Sequence, residues 1–116
     1  MINRGRLIWV DFGIGNGSEQ SGIRPAVVVQ NDIGNKYSPT TIVAPITSQQ
    51  DKSKLPTHVI LETDLLNKKS TVLCEQIRII DKRRVKSEIG SLPSEDIIRI
   101  DNALLISMGF IPCHKQ

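Results

Sequence analysis

Short apolar runs, separated by polar or glycine-containing segments, occupy the first four fifths of the chain and predict β-strands. The predicted strands cover residues 6–12, 25–31, 40–47, 54–61 and 70–81, with a short one near 87–92. In the first of them apolar residues occur at both alternating sets of positions, which is typical of a strand that is covered on two sides. The segment 32–39 is rich in turn-forming residues and is predicted to be a turn region.

The pattern changes after residue 93, where apolar residues recur at the spacing of an α-helix. They are Ile97, Ile100, Leu104, Leu105 and Met108. Ser94 is the predicted N-cap of this helix, and Gly109 with Pro112 beyond it is predicted to end it. Several short strands followed by one helix predict a mainly β fold with a C-terminal helix, in which the helix packs on a small, strongly bent sheet or half-open barrel.

Composition narrows the class of protein. A length of 116 residues predicts a single domain over 1–116, and the formal net charge of +3 permits an anionic partner without demanding one. Four aromatic residues are too few for a surface that stacks many bases. Cys74 and Cys113 lie in no CxxC-like spacing and are expected to be free thiols in a reducing compartment. The N-terminus contains no apolar segment long enough for a signal peptide, so a cytoplasmic protein is expected.

A loop rich in glycine and small polar residues, 13–22, runs into Arg24 and Pro25 at the start of the second predicted strand. Pro25 favours an extended backbone at Arg24, which holds the guanidinium beside the loop. A guanidinium is a planar set of donors that matches the oxygens of a phosphate and stays charged at any working pH. The alternative is a surface arginine that pairs with Glu19 or Asp32.

Pro45 cannot donate a ladder hydrogen bond and predicts an edge or a bulge just before Thr47, which ends the third predicted strand. A threonine hydroxyl there can donate to a phosphate, although such residues more often complete a turn. Ser48 follows Thr47 directly. Glu19 lies five residues before Arg24 and is a candidate proton acceptor, with a solvated loop carboxylate as the alternative.

Other features of the sequence give little support to metal or cofactor chemistry. His58 has no second histidine or cysteine near it and is expected to be hydrogen-bonded at a strand start. No motif of a nucleotide-triphosphate enzyme, a zinc hydrolase or a serine hydrolase is present. No metal and no cofactor are therefore expected. The basic run 82–84 with Lys86 is typical of a solvated turn, and binding of a polyanion or an acidic protein is the alternative.

Five segments in order carry a resemblance to a known family: LIWVDF, GSEQSGIRPAVVV, QNDIGN with SPTTIVAPIT, LPTHV and CEQIRIIDKRR. Over residues 5 to about 110 they resemble the MazF/PemK toxins of bacterial toxin–antitoxin pairs, which are sequence-specific endoribonucleases that cut single-stranded mRNA. The resemblance implies a small SH3-like or CcdB/PemK-type barrel of about six or seven strands. It also implies a homodimer whose grooves are blocked by the acidic, disordered tail of a MazE-like antitoxin.

By motif, Arg24 matches the catalytic arginine of the family and Thr47 its catalytic threonine. The resemblance places further residues at the RNA, in the covering loop and at the groove: Ser18, Glu19, Gln20 and Gln76. Ser48, beside Thr47, is predicted to be another RNA contact. Relatives that carry QNDIGN and LPTHV cut at pentanucleotides of the UACAU type, so such a site is expected, while the GIGNG loop varies in the family and leaves the base specificity open.

The implied reaction is attack of the ribose 2′-hydroxyl on its own 3′-phosphate, which leaves a 2′,3′-cyclic phosphate and a 5′-hydroxyl. Arg24 and Thr47 are expected to stabilise the charge on the phosphate oxygens. Because a guanidinium does not deprotonate in proteins, Glu19 is the candidate base. Two other functions stay open: a non-catalytic barrel that binds nucleic acid or protein, and a CcdB-like gyrase poison.

Overall fold

The computed structural model describes residues 2–48 and 55–112. Its strands are β1 Arg6–Asp11, β2 Ile23–Val28, β3 Thr40–Thr47, β4 His58–Leu61, β5 Ser70–Leu73, β6 Arg78–Asp81 and β7 Val85–Ser91. Its helices are α1 Asp32–Tyr37 and α2 Ser94–Ser107, and two 3-10 turns, Cys74–Gln76 and Lys82–Arg84, flank β6. The first residue of the fourth predicted strand and Cys113 lie outside the described residues.

β3 is the centre of the fold because other strands pair with it along both edges. β2 pairs with one edge, while β6 and β5 pair with the first and last parts of the other edge. The sheet continues through β4 beyond β5, and through β1 and β7 beyond β2. The seven antiparallel strands with a C-terminal helix confirm the predicted fold class, and in the described residues the sheet stays open.

The single strand predicted over 70–81 is wrong, because a 3-10 turn divides it into β5 and β6. Ile46 pairs with Val72 and Val43 with Arg78, so residues 73–77 lie opposite only two residues of β3. This bulge lies beside Pro45, where the sequence predicted an interruption. The bulge lifts the turn Cys74–Gln76 out of the ladder and frees its side chains to contact other segments.

Two apolar cores lie on opposite faces of the sheet. Leu7 of β1 packs in the core that also contains Ile100 of α2, whereas Ile8 packs in the core that contains Phe12. The alternation along β1 therefore buries both faces, as the sequence predicted. Trp9 is the exception, since 39% of this residue is exposed.

The segment 32–39 is more ordered than the predicted turn region, because it contains α1. The side chain of Asn31 caps this helix by accepting the backbone N–H of Gly34 at 2.8 Å. Asn35 is buried, and its Oδ1 accepts from the Thr41 hydroxyl at 2.7 Å, while its Nδ2 donates to the carbonyl of Gln30 at 2.9 Å. These bonds fix α1 to β3.

Two element boundaries differ from those predicted. Pro93 occupies the N-cap position of α2, and Ser94 is its first helical residue. Gly109, with φ of 81°, ends the helix as predicted. β2 begins at Ile23, so Arg24 lies inside the strand rather than before it.

No helix among the described residues is long and apolar enough to cross a membrane.

Candidate active site

Arg24 and Thr47 lie on neighbouring strands, just beyond the end of the ladder that joins them. β2 pairs with β3 through Val28 with Val43, Val27 with Ala44 and Ala26 with Pro45, and Arg24 and Thr47 each lie two residues past the last of these pairs. Residues directly opposite on antiparallel strands project from one face of the sheet. The fold therefore brings the segments that contain Arg24 and Thr47 to the same end of the β2–β3 ladder.

Arg24 forms neither of the two surface ion pairs that its spacing allows. Its Nε donates to the carbonyl of Ser21 at 2.7 Å, which fixes the direction of the side chain. Asp32 instead accepts a backbone N–H at 2.7 Å, and Glu19 accepts the backbone N–H of Asn16 at 2.9 Å. Within residues 2–48 and 55–112 the two terminal nitrogens of Arg24 donate to no protein acceptor, so they are available to an anion.

Thr47 is 7% exposed, so only a small part of its surface reaches solvent. On the other edge of β3 it pairs with Thr71 of β5. A side chain that is almost fully buried has little freedom, and its hydroxyl is consequently positioned before any ligand arrives.

A groove of about 760 Å³ runs beside Arg24 and Ser48. Its floor contains Trp9 and Pro25, which pair directly across β1 and β2, together with Ile46 of β3. The connection between β4 and β5 forms its outer wall. We call this the Arg24 groove. Its apolar floor lies beside a cation, and such a groove suits a ligand that has both a flat ring and a negative charge.

A second groove of about 480 Å³ contains three of the predicted residues, Glu19, Gln20 and Gln76, together with Arg78. We call this the Gln76 groove. Glu19 and Arg24 thus line different grooves, and the loop that contains Glu19 separates them.

The side-chain amide of Gln76 holds the backbone of this loop. Its Oε1 accepts the N–H of Gln20 at 3.2 Å, and its Nε2 donates to the carbonyl of Ser18 at 3.2 Å. The turn predicted at Asn16 and Gly17 lies within the same loop, where Gly17 has φ of 58° and the Glu19 N–H donates to the Asn16 carbonyl at 3.1 Å. Direct contact of Gln76 with RNA stays a prediction; its observed contacts are to the loop.

The chain is similar to a known protein family and to named relatives. The family described as PemK-like, MazF-like toxin of type II toxin–antitoxin system matches residues 3–108. A relative from Staphylococcus epidermidis named Endoribonuclease MazF is 50% identical over 111 residues, which are 94% of this chain and 92% of that protein. The chain belongs to the MazF/PemK family of type II toxins.

Solved structures of MazF proteins have the same fold. MazF from Deinococcus radiodurans is 28% identical with a TM-score of 0.80, and the match covers 92% of this chain and 96% of that one. A MazE–MazF structure from the same organism is 26% identical with a TM-score of 0.74, covering 94% and 96%. A mycobacterial endoribonuclease in complex with its cognate antitoxin is 20% identical with a TM-score of 0.80, covering 96% and 98%, and shows the fold alone.

In this MazF-family toxin His58 makes the hydrogen bonds expected at a strand start. Its Nδ1 accepts the backbone N–H of Leu55 at 3.4 Å, which leaves Nε2–H to donate to Glu75 at 2.9 Å. Glu75 also accepts from the hydroxyl of Thr57 at 2.9 Å. Among the described residues no three histidine, cysteine or acidic side chains lie close enough together to hold a metal ion.

Sequence reasoning missed Glu75 because its partners lie 17 and 18 residues away, at the start of β4 and directly before it. The turn Cys74–Gln76 of the toxin thus fixes two segments. Glu75 holds the start of β4, and Gln76 holds the loop beside Arg24.

The basic run and the cysteine have structural contacts. Arg83 pairs with Asp81 at 3.1 Å, and the hydrogen bond from its side chain lowers the pKa of the Asp81 carboxyl. Lys82 donates to the carbonyl of Asn35.

Cys74 is a free, buried thiol. Its burial, together with the nearby charge of Glu75, raises its pKa to about 12.

Proposed function

We propose that this toxin cleaves single-stranded mRNA at specific sequences without a metal ion, using the 2′-hydroxyl of the RNA as the nucleophile. The chain is a MazF-type endoribonuclease by family and by its 50% identical relative. The observation that supports the proposed mechanism is the pairing of β2 with β3, whose last pair, Ala26 with Pro45, lies two residues from Arg24 on one strand and from Thr47 on the other.

Charge develops on the non-bridging oxygens of the phosphate as the 2′-oxygen attacks. The terminal nitrogens of Arg24 and the hydroxyl of Thr47 donate to these oxygens in our mechanism. Donors that are already oriented stabilise a transition state without reorganisation. The anchoring of Arg24 Nε by the Ser21 carbonyl at 2.7 Å supports such an orientation.

In this proposal Glu19 accepts the proton of the 2′-hydroxyl. The bond from phosphorus to the 5′-oxygen breaks as the 2′-oxygen bonds to phosphorus, and solvent water protonates the leaving 5′-oxygen. Oε1 of Glu19 is occupied by the N–H of Asn16, while its Oε2 accepts no hydrogen bond from the described residues. Since Glu19 lines the Gln76 groove and not the Arg24 groove, the RNA has to pass between the two grooves under the loop. Ser18, Gln20, Ser48 and Gln76 then lie along this path and bind the RNA on either side of the cleaved bond.

We further propose that the single domain works as a homodimer in the cytoplasm and is inhibited by a MazE-like antitoxin. The MazE–MazF structures from Deinococcus radiodurans support such a partner. The exposed apolar side chains of Ile23 and Leu65 beside the Arg24 groove offer a surface to a second copy. The segments QNDIGN and LPTHV support cleavage at UACAU-type sites.

The test is cleavage of a long natural RNA by the purified toxin in excess EDTA, followed by mapping of both new ends. The expected products carry a 2′,3′-cyclic phosphate and a 5′-hydroxyl, and one short sequence recurs at the cuts. An RNA with a 2′-deoxynucleotide at the mapped site should bind and stay intact. Dependence on a divalent ion or 5′-phosphate ends would refute the mechanism, and DNA breaks in the presence of gyrase with intact RNA would favour the CcdB-like alternative.

A further inference from the structure

The three basic side chains of the 3-10 turn between β6 and β7 all bond to the protein, and the mechanism above uses none of them. Lys82 donates to a carbonyl of α1, and Arg83 pairs with Asp81 in the same turn. Arg84 reaches furthest along the chain: its Nη1 donates to the carbonyl of Asp11 at 3.1 Å, across 73 positions. The turn therefore fixes other segments of the fold, although its composition is typical of a surface that binds polyanions.

Asp11 ends β1 at the base of the loop 13–22, where the two ends of this loop are bonded to each other. Gly22 N–H donates to the carbonyl of Gly13 at 2.8 Å, and Phe12 N–H donates to the carbonyl of Gly22 at 2.9 Å. Gly13 and Gly22 have φ of 70° and 76°, which few residues other than glycine adopt. We call Phe12, Gly13 and Gly22 the loop base. A glycine at each end leaves the loop free to turn as a unit about this base.

Arg84 lies directly against the loop base. A Cβ atom added to Gly13 would lie 3.2 Å from Nη1 of Arg84, so the guanidinium occupies the space beside this glycine. Asp11 joins the two, because its carbonyl accepts from Arg84 and its Oδ1 accepts the N–H of Gly13 at 2.9 Å. A side chain from outside the loop thus restrains one of its two hinges.

The loop also orients the proposed catalytic arginine. Ser21 directly precedes Gly22, and its carbonyl accepts from Nε of Arg24 at 2.7 Å. A turn of the loop about its base would move this carbonyl, and the guanidinium of Arg24 would move with it. Gln76 holds the middle of the loop, whereas Arg84 holds its base.

We propose that Arg84 is a positioning residue for RNA cleavage, which fixes the loop base so that the Ser21 carbonyl keeps Arg24 directed at the phosphate. The proposal rests on the proposed function, since it takes Arg24 as the catalytic cation. Arg84 itself touches no reacting atom in this role. Its contribution is to the rate of the chemical step and not to the affinity for RNA.

The first test is hydrogen exchange of the free toxin, without RNA. Arg84→Met keeps an aliphatic side chain but removes the donors, so the amides of Phe12 and Gly22 should exchange about fivefold faster. The amides of α2 are the internal reference and should keep their rates. Arg84→Lys should restore most of the protection, because its ammonium group still donates. If Arg84→Met does not fold, Arg84→Gln takes its place in the same measurement.

Arg83→Met is the matched control, since it removes one positive charge from the same turn. The side chain of Arg83 is 90% exposed, and its hydrogen bonds go to Asp81. This variant should leave both the exchange of the loop base and the rate of cleavage unchanged.

The second test separates the chemical step from binding. The single-turnover rate of Arg84→Met at saturating RNA should fall by about fivefold, as expected for the loss of one hydrogen bond that orients a catalytic group. Its affinity for an RNA with a 2′-deoxynucleotide at the cut site should stay that of the wild type, as should the salt dependence of that affinity. A direct phosphate contact would instead lower the slope of log K against log salt by about 0.7.

Wild-type exchange at Phe12 and Gly22 in Arg84→Met, or an equal change in Arg83→Met, would overturn the proposal. So would a fall of the salt slope in Arg84→Met, which would make Arg84 an RNA contact. Faster exchange with an unchanged cleavage rate would overturn the coupling to Arg24. Because the exchange is measured without RNA, a failure of the proposed nuclease mechanism would be seen separately.

Discussion

The carboxamide of Gln76 is hydrogen-bonded to the backbone of Gln20, although 56 positions separate the two residues in the chain. The bond and its companion to the Ser18 carbonyl connect the 3-10 turn between β5 and β6 with the loop that precedes Arg24. The position of that loop therefore depends on the side chain of Gln76, which lies outside the loop.

Gln76→Ala should release the loop and slow RNA cleavage by up to about thirtyfold, because two hydrogen bonds of about 1 kcal/mol each are lost. Hydrogen exchange at the backbone amide of Gln20 measures the release directly and should become faster. Gln76→Glu is the control, since its carboxylate still accepts the Gln20 N–H but cannot donate to Ser18. Equal exchange rates at Gln20 in wild type and Gln76→Ala would contradict this role.

Arg24→Ala should reduce the single-turnover rate of cleavage by on the order of 10²–10³ while the fold is preserved. Arg24→Lys should restore little of this loss, because an ammonium lacks the planar donors that reach the phosphate while Nε bonds Ser21. Single-turnover kinetics at saturating RNA measure the chemical step, and thermal unfolding checks the fold. Recovery of the wild-type rate in Arg24→Lys would show that charge alone is sufficient.

Cys74 should resist alkylation in the folded toxin at pH 8, because burial raises its pKa to about 12 and the thiolate is the reactive form. The raised pKa of Cys74 also determines how its contribution to the stability of the fold changes with pH. The unfolded thiol ionises near pH 9 while the folded one does not, so the contribution of Cys74 to stability is complete below pH 9 and declines above it. Iodoacetamide labelling with peptide mass spectrometry, with and without denaturant, measures the protection, and Cys74→Ser provides the reference for the pH profile. Rapid labelling of Cys74 without denaturant would contradict the assignment.

Periodicity alone predicted the strands that form the centre of the sheet and the C-terminal helix. The prediction was wrong where side chains form hydrogen bonds to segments that are distant in the sequence, because such bonds leave no local pattern. The run 70–81 is apolar enough for one strand, yet Glu75 and Gln76 at its middle bond to segments far away in sequence and hold a turn there. In α1 the signal was local and was missed: Asn31 caps the helix, and the buried Asn35 fixes it to β3.

The candidate site was predictable in part. Family motifs singled out Arg24 and Thr47, but only the pairing of β2 with β3 shows that their segments meet at one end of the same ladder. Arg78 lies in the segment CEQIRIIDKRR that carries the family resemblance, but it was absent from the predicted site. Its position follows from pairing with Val43 and from contact with Phe12, which no spacing along the chain reveals.

The double pairing of β3 has a consequence for synthesis of the toxin. While a ribosome is still translating the middle of the chain, β3 already has β2 on one edge, but the other edge has no partner until β5 and β6 emerge. Thr47 is held in place only after Thr71 has been made. The proposed site at Arg24 and Thr47 is therefore complete only after most of the chain has been translated.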